Sequence, residues 1–176
     1  MNESLKYFGT DGIRGRYGDS VINENFAYSL GVAFARYLEY KNYDKSRPIF
    51  LARDTRVSGK NLLLSCQAGL NDNHFITYNL DILPTPVLAF SVYNQNALGG
   101  IMVTASHNPH YDNGLKIISS EGGKLEPADE YLIESFISEF THHHIMPEIL
   151  HQDQPKYIEA YLENLSKHFD ANFLKG

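Results

Sequence analysis

The sequence predicts an α/β domain in which helices cover both faces of a mixed, mainly parallel central sheet, giving α/β/α layers. Two observations indicate this fold. Short apolar runs bounded by turn residues alternate with segments of helical spacing along the chain. The 176 residues are enough for one well-filled core and tight for two complete domains. We therefore expect residues 1–176 to form a single domain with a helical segment near 155–170 at its C-terminal end.

Five segments have the character of helices. In the first, apolar residues recur every four positions, and Asn23 is placed to cap the N-terminus. These apolar residues are Phe26, Leu30, Phe34 and Leu38. The other helices are expected at 61–70, 87–93, 128–140 and 156–169, with Pro86 at the first helical position of the third.

Four buried strands are expected between these helices. Each is a short apolar run that borders glycine, proline or a polar loop. The runs lie at 48–52, 75–80, 99–104 and 115–119. No strand is predicted in the glycine-punctuated stretch 9–18, which precedes the first helix.

Composition excludes several classes of protein. Hydrophobic residues make up 43% of the chain and charged residues 20%, which is typical of an ordinary globular protein. The formal net charge of −6 argues against nucleic-acid binding, because phosphate-backbone binders need clustered Lys and Arg. No apolar run is long enough to cross a membrane and no signal segment begins the chain, so we expect a cytoplasmic protein without a membrane partner. The single cysteine, Cys66, lies in an apolar helical run and is interpreted as core.

The densest chemical signal is the segment from Thr104 to Pro109, which is followed by Asn113-Gly114-Leu115-Lys116. It lies between two predicted strands, where an α/β sheet commonly carries reactive groups. Small and turn-forming neighbours would leave the Ser106 hydroxyl exposed. The simplest alternative is a polar loop whose side chains only satisfy one another's hydrogen bonds.

A serine hydrolase is the competing chemical interpretation of Ser106 and His107. Adjacent residues on an extended loop are expected to point in opposing directions, which disfavours the required hydrogen bond. The Gly-x-Ser-x-Gly spacing of a nucleophile elbow is also missing. This class is therefore disfavoured.

A second signal is the string Gly9-Thr10-Asp11-Gly12-Ile13-Arg14-Gly15. Glycines allow the backbone to approach an anion closely, and an arginine keeps its charge and can hold two phosphate oxygens. The string is neither a Walker loop nor a dinucleotide fingerprint, because the required spacing is absent.

The two strings together resemble the α-D-phosphohexomutase family, and the glycine-rich string resembles its phosphoglucosamine mutase branch. The resemblance implies that Ser106 is a phosphoserine that passes its phosphoryl group to a hexose or hexosamine phosphate through a bisphosphate. It implies catalytic roles for His107, Lys116 and Arg14. Contacts to phosphate are implied for Gly9, Thr10, Asp11, Asn108 and Asn113.

A third match is weaker. Residues 52–59, which include Asp54-Thr55-Arg56 and Ser58-Gly59, resemble a strand-end segment of the same family. A charged loop capped by Asp54 and Ser58 explains these residues about equally well. The triple histidine at 142–144 has no spaced partners and is interpreted as a solvated loop rather than a metal site.

The resemblance also implies Mg²⁺, bound between the phosphate on Ser106 and an aspartate cluster that this sequence does not contain. We therefore expect the remaining mutase domains to supply those aspartates and the sugar-reading loops, and the chain alone to lack full mutase turnover. A phosphomannomutase or phosphoglucomutase domain is the nearest alternative. A non-catalytic phosphosugar-binding module is the alternative from a different class.

Overall fold

The computed structural model describes residues 5–137 and 154–169, and in these ranges strands and helices alternate as expected. The strands are β1 (Ile13–Arg16), β2 (Ile49–Arg53), β3 (Thr77–Ile82), β4 (Gly99–Val103) and β5 (Asp112–Ser119). The helices are α1 (Glu24–Tyr40), α2 (Gly59–Asn71), α3 (Thr85–Asn94), α4 (Pro127–Phe136) and α5 (Gln154–His168).

The helix signals in the sequence are largely confirmed. Asn23 caps α1, because its side-chain oxygen accepts a hydrogen bond from the Phe26 amide. Pro86 lies in the first turn of α3 but at the second helical position rather than the first. Cys66 is fully buried in α2, and burial raises the pKa of its thiol above the ordinary range, as expected for a core residue.

The five strands form one sheet in the order β1-β5-β4-β2-β3. β2 is parallel to both β3 and β4, while β5 is antiparallel to both β4 and β1. Four strands therefore run in one direction and β5 runs in the other, which confirms the prediction of a mixed, mainly parallel sheet. We call the side where β2, β3 and β4 end the carboxyl edge, and the side where they begin the amino edge.

Helices cover both faces of the sheet. On one face α1, α2 and α4 pack against residues such as Ile101 and Ile117. On the other face α3 packs against Phe50 and Met102, and Tyr157 of α5 joins this second cluster. Alternation along β4 sends Ile101 and Met102 to opposite faces, so the layers are α/β/α as predicted.

The prediction that residues 9–18 contain no strand is wrong. Residues 13–16 form β1, which pairs with β5 from Ile13 opposite Leu115 to Arg16 opposite Asp112. The strand is short, it contains Gly15, and only Ile13 among its residues is buried, so no alternating apolar pattern marks it. β5 also begins at Asp112, three residues before the predicted start, because its first residues pair with β1.

Some expectations concern residues outside the described ranges. α4 ends at Phe136, and the last part of the predicted helix at 128–140 lies beyond the described residues. The triple histidine at 142–144 lies outside them too. Among the described helices, none has the length and apolarity needed to span a bilayer.

Candidate active site at the carboxyl edge

Ser106 lies in the loop that joins β4 to β5, just beyond the carboxyl edge of the sheet. It is exposed, and its backbone has φ of 56°, in the left-handed region. Four other described non-glycine residues have positive φ, namely Asn42, His74, Asp81 and Asn96. Asn, Asp and His tolerate this conformation better than serine does, so Ser106 is the unusual member of the group.

The left-handed backbone corrects the expectation about Ser106 and His107. The two side chains were expected to point in opposing directions, as they would on an extended loop. Instead Ser106 Oγ lies 3.4 Å from His107 Nδ1, a long contact at the limit of a hydrogen bond. The turn at Ser106, rather than an extended chain, brings the hydroxyl and the imidazole to the same side.

The backbone of Ser106 is tied to β2 through a short chain of hydrogen bonds. The Ser106 amide donates to Thr104 Oγ1 over 2.9 Å, and the Thr104 hydroxyl donates to Asp54 Oδ2 over 2.7 Å. Asp54 directly follows β2, which pairs in parallel with β4. The serine is therefore held by two neighbouring strands of the sheet.

Arg56 also binds the loop that carries Ser106. Its guanidinium donates to four backbone carbonyl oxygens of the loop and to the Asp54 carboxylate. The carbonyls belong to Ser106, Asn108, Pro109 and Asp112. Sequence reasoning attached no role to Arg56 beyond its place in the third matching segment.

The two explanations of residues 52–59 both describe part of what is seen. Asp54 caps its own turn, because Oδ1 accepts a hydrogen bond from the Arg56 amide over 3.0 Å. Ser58 makes no side-chain bond to the backbone of α2. Its hydroxyl instead accepts a hydrogen bond from the Asn113 amide group over 2.8 Å, which connects this segment to β5.

Two cations and a carboxylate form a second group beside the loop. Asp11 lies 2.6 Å from Lys116 Nζ and 2.9 Å from Arg14 Nη2. The hydrogen bond from Lys116 holds the pKa of Asp11 below its ordinary value, and the charge of Arg14 acts in the same direction against the opposing effect of partial burial. Asp11 therefore stays ionised and keeps both cations in place.

Glycines bring this group close to β5. The Gly9 amide donates to Gly12 O over 2.9 Å, which closes a tight turn with Thr10 and Asp11 at its tip. Gly12 has φ of 79°, and a Cβ there would lie 2.7 Å from Leu115 O. Only glycine fits this turn against the strand.

The pairing of β1 with β5 and of β5 with β4 brings the Asp11, Arg14 and Lys116 group alongside the Ser106 loop. Arg14 on β1 is opposite Gly114 on β5, and the Thr104 amide donates to Gly114 O over 3.0 Å. Lys116 lies two residues along β5 and shares the face of Gly114. A Cβ on Gly114 would lie 2.5 Å from Thr104 O and 2.8 Å from Ile13 O, so the absence of a side chain lets the strands approach.

The remaining predicted residues occupy different positions in this arrangement. Thr10 is exposed in its turn. The Asn108 side chain donates to Asp112 Oδ2 over 3.0 Å within the loop. Asn113 is fully buried, and its side chain bonds Ser58 and the Gly114 amide. Among the described residues, no hydrogen bond joins Ser106 directly to Arg14 or Lys116, so phosphate contacts by the predicted residues stay predictions.

The first residues of the chain are anchored by α4. The Glu134 carboxylate accepts hydrogen bonds from the amides of Lys6, Tyr7 and Phe8 at distances between 2.6 and 2.8 Å. Such charge-assisted bonds are strong when partly buried. Glu134 thereby fixes the segment that enters the Gly9–Gly12 turn, and no local signal in the sequence pairs it with residues so distant.

The described residues do not form a magnesium site by themselves. Within the ranges 5–137 and 154–169, no group of three His, Cys, Asp or Glu side chains could hold a metal ion. Two carboxylates near the serine loop are already engaged, Asp11 by Lys116 and Arg14 and Asp54 by Arg56 and Thr104. The expectation that further ligands come from the remaining mutase domains stays a prediction.

Comparison with known proteins decides the family. Residues 5–143 match the model of phosphoglucomutase/phosphomannomutase, alpha/beta/alpha domain I. The chain belongs to the phosphoglucomutase/phosphomannomutase family. This match confirms the resemblance to phosphohexomutases that residues 9–15 and 104–116 indicated. It also confirms the layered architecture of the domain.

Members of this family that resemble the chain are considerably longer. The phosphoglucosamine mutase of Xanthomonas euvesicatoria pv. vesicatoria is 42% identical over 137 residues, which are 78% of this chain and 30% of that protein. The phosphoglucosamine mutase of Acinetobacter baumannii ATCC 17978 is 38% identical across 97% of this chain and 40% of its own length. The chain therefore spans less than half the length of these relatives.

A solved structure of the phosphoglucomutase/phosphomannomutase type supports the same conclusion. A crystal structure of a Thermus thermophilus protein with a provisional phosphomannomutase name superposes with a TM-score of 0.82 at 27% sequence identity. The superposition covers 95% of this chain and 37% of that one.

Proposed function

We propose that this chain is the phosphoserine-bearing domain of a phosphosugar mutase that interconverts glucosamine 6-phosphate and glucosamine 1-phosphate through a bisphosphate. The observation that carries the proposal is the exposed, left-handed Ser106, held at the carboxyl edge beside two cations that share one carboxylate. Identities of 42% and 38% to phosphoglucosamine mutases favour the hexosamine substrate.

The proposed chemical step moves one phosphoryl group from Ser106 to a sugar hydroxyl. The bond between Ser106 Oγ and phosphorus breaks, a bond from the sugar oxygen to phosphorus forms, and the sugar hydroxyl releases its proton. The serine oxygen takes up a proton, which His107 is placed to supply because Nδ1 lies 3.4 Å from Oγ. The return step puts the other phosphate of the bisphosphate on Ser106.

Arg14 and Lys116 supply the positive charge that this step needs. Phosphoryl transfer spreads negative charge over the phosphorus-bound oxygens and depends on positioned cations more than on covalent help. Asp11 holds both cations at fixed distances, so we assign it the role of organising them. The exposed Thr10 is the phosphate contact that the geometry favours, because the Gly9 amide and the side chains of Asn108 and Asn113 are used within the fold.

Mg²⁺ enters the proposal as a cofactor of the complete enzyme. On this chain its one ligand would be a phosphate oxygen carried by Ser106, since the described residues offer no cluster of three ligands. The remaining mutase domains would supply the other ligands and the residues that read the sugar. We therefore expect the chain alone to show no full mutase turnover when Mg²⁺ and a hexose 1,6-bisphosphate are added.

Intact mass spectrometry tests the role of Ser106. The purified chain is expected to carry, or to acquire from a hexose 1,6-bisphosphate, one phosphate that is lost in Ser106→Ala. Ser20→Ala, which removes another exposed serine, is the matched control and should leave the phosphate in place. A phosphate that persists in Ser106→Ala would contradict the proposal.

Two alternatives are separated by their own measurements. A phosphomannomutase or phosphoglucomutase domain is distinguished by a substrate panel on the complete enzyme, in which mannose or glucose phosphates would outperform glucosamine phosphates. A non-catalytic binding module would bind hexose phosphates with saturable affinity in the chain alone and would carry no phosphate on Ser106.

A further inference from the structure

Arg56 uses every N–H donor of its guanidinium group. A guanidinium has five N–H donors in a planar fork. Nε bonds Asp54 Oδ2, Nη1 bonds the carbonyls of Pro109 and Asp112, and Nη2 bonds the carbonyls of Ser106 and Asn108, at distances between 2.5 and 3.0 Å. The Arg56 side chain is only 10% exposed.

The four carbonyls come from one segment of the serine loop, and their convergence has an electrostatic consequence. A carbonyl oxygen carries partial negative charge, and a seryl phosphate carries a charge of about −1.5 to −2. Carbonyls that turned toward the phosphate would repel it. With their oxygens turned to Arg56, the partial negative charges of these carbonyls are offset by a guanidinium cation that is largely shielded from solvent.

The orientation of the peptide planes adds a second consequence. The described chain contains no cis peptide, and in a trans peptide the N–H group lies opposite the carbonyl. The amide of His107 therefore points away from Arg56, because the Ser106 carbonyl points toward it. The same holds for His110, which follows Pro109.

We propose that Arg56 is a positioning residue for phosphoryl transfer at Ser106, an inference that rests on the proposed function. By gathering four loop carbonyls, Arg56 holds Ser106 in its left-handed conformation and keeps negative carbonyl ends away from the seryl phosphate. It acts through the backbone of the loop and needs no contact with the substrate.

The geometry of the fork, rather than its charge, carries this role. Lysine has one ammonium group with three donors and cannot reach four carbonyls and a carboxylate in one plane. Arg56→Lys therefore retains the charge and loses the arrangement. Arg56→Gln, which keeps a planar head with two N–H donors and removes the charge, is the second variant.

The chain offers a matched control in Arg47. This arginine precedes β2 and donates to the carbonyls of Asn96 and Ala97 over 2.7 and 3.0 Å at the amino edge of the sheet. Arg47→Lys thus disturbs the same kind of contact at a place remote from Ser106.

Hydrogen exchange of the 176-residue chain tests the positioning claim without any mutase activity. The loop amides of Asn108 and Asp112 donate to the carbonyls of Ala105 and Pro109. In Arg56→Lys we expect these two amides to exchange at least about tenfold faster, while amides of β4 keep their protection. Arg47→Lys should leave the loop amides unchanged. Loop exchange that is unchanged in both Arg56 variants would overturn the proposal.

The rate of phosphate acquisition tests the link to chemistry. In the complete enzyme, with a hexose 1,6-bisphosphate and Mg²⁺, we expect the maximal rate of Ser106 phosphorylation to fall about 100-fold in Arg56→Lys, with the half-saturating bisphosphate concentration nearly unchanged. Arg47→Lys should match the unmodified enzyme. Full activity in Arg56→Lys would overturn the inference, because a point charge would then suffice.

The two experiments separate failure of this inference from failure of the proposed function. A complete enzyme that never takes phosphate on Ser106 would refute the proposed function and, with it, the catalytic part of this inference. The exchange measurement would still decide whether Arg56 holds the loop.

Discussion

At each edge of the sheet, an arginine beside β2 donates hydrogen bonds to backbone carbonyls, but the two arginines stabilise different parts of the molecule. At the amino edge, Arg47 precedes β2 and bonds two carbonyls of the segment before β4. At the carboxyl edge, Arg56 follows β2 and bonds four carbonyls of the segment after β4. The first arginine closes a short connection, whereas the second holds the longer loop that carries the exposed Ser106.

Residues with positive φ also have different structural settings at the two edges. At the amino edge, Asn42 and Asn96 have positive φ just after the ends of α1 and α3, where helices commonly terminate in this conformation. Ser106 has positive φ without any helix to terminate. The comparison teaches that positive φ at Asn42 and Asn96 terminates helices, while at Ser106 it shapes the loop of the candidate site. Asp81, near the end of β3, is also left-handed and pairs with Arg53.

The largest effect is expected for Lys116→Ala. The proposed function places Lys116 against the transferring phosphate, so its removal should lower the rate of Ser106 phosphorylation in the complete enzyme about 100-fold. Lys41→Ala removes the amino-edge lysine that pairs with Asp129 and should leave the rate unchanged. Both rates are measured by mass spectrometry during incubation with a hexose 1,6-bisphosphate. Equal rates in the two variants would show that a cation at the carboxyl edge matters no more for phosphorylation than one at the amino edge.

Gly114→Ala should destabilise the fold by about 2–3 kcal/mol, because the new methyl group meets backbone oxygens on two neighbouring strands. Gly123→Ala is the amino-edge control, since the atom nearest to its Cβ would be Ser119 Oγ at 3.9 Å, and its effect should stay within about 0.5 kcal/mol. Urea unfolding measures both changes. Similar values would show that the approach of β1 to β5 is not tight.

Ser106→Gly should be more stable than Ser106→Ala by about 1 kcal/mol, because glycine adopts the left-handed backbone without steric cost. Asn96→Gly, at φ of 51°, should change stability by only about a few tenths of a kcal/mol, because asparagine already tolerates this region. Thermal and urea unfolding compare the variants. A less stable Ser106→Gly would show that the loop is unstrained.

The smallest effect is expected for Asp11→Asn. The ion pairs of Asp11 are partly exposed, so their loss should cost at most about 1 kcal/mol at neutral pH. Because the pKa of Asp11 is lowered in the folded chain, its contribution is present above the unfolded pKa of about 3.9 and is lost as the pH falls through the folded value. Urea unfolding at a series of pH values from neutral into acid should show the stabilities of the two chains converging, and a difference that grew in acid would contradict this assignment.

Local signals predicted much of the fold. The spacing of Phe26, Leu30, Phe34 and Leu38 and the cap at Asn23 indicated α1, and the loop between two apolar runs located Ser106. These features depend on residues close together in the chain. β1 was missed because it is short and glycine-containing, and because its pairing partner is far away in the sequence.

The organisation of the site was harder to predict for the same reason. The residues implied by family resemblance include Arg14, Lys116 and Asp11, but the ion pair of Asp11 with Lys116 joins the β1 segment to the distant β5. Arg56 contacts backbone carbonyls about 50 residues away. Every residue has such a carbonyl, so the sequence does not mark which ones Arg56 binds. The contact between Ser106 and His107 depends on one backbone angle that no residue pattern specified.

The pairing of β1 with β5 has a consequence for the order in which the site is assembled. Ser106 and Lys116 lie on a hairpin, so their relative placement needs only local chain closure, whereas Arg14 and Gly114 are paired across most of the chain. β1 has β5 as its one strand neighbour at the margin of the sheet. We expect β1 to dock late in folding and to detach first in partial opening, so that the Ser106 loop would keep its place on β4 and β5 after Asp11 and Arg14 have left the candidate site.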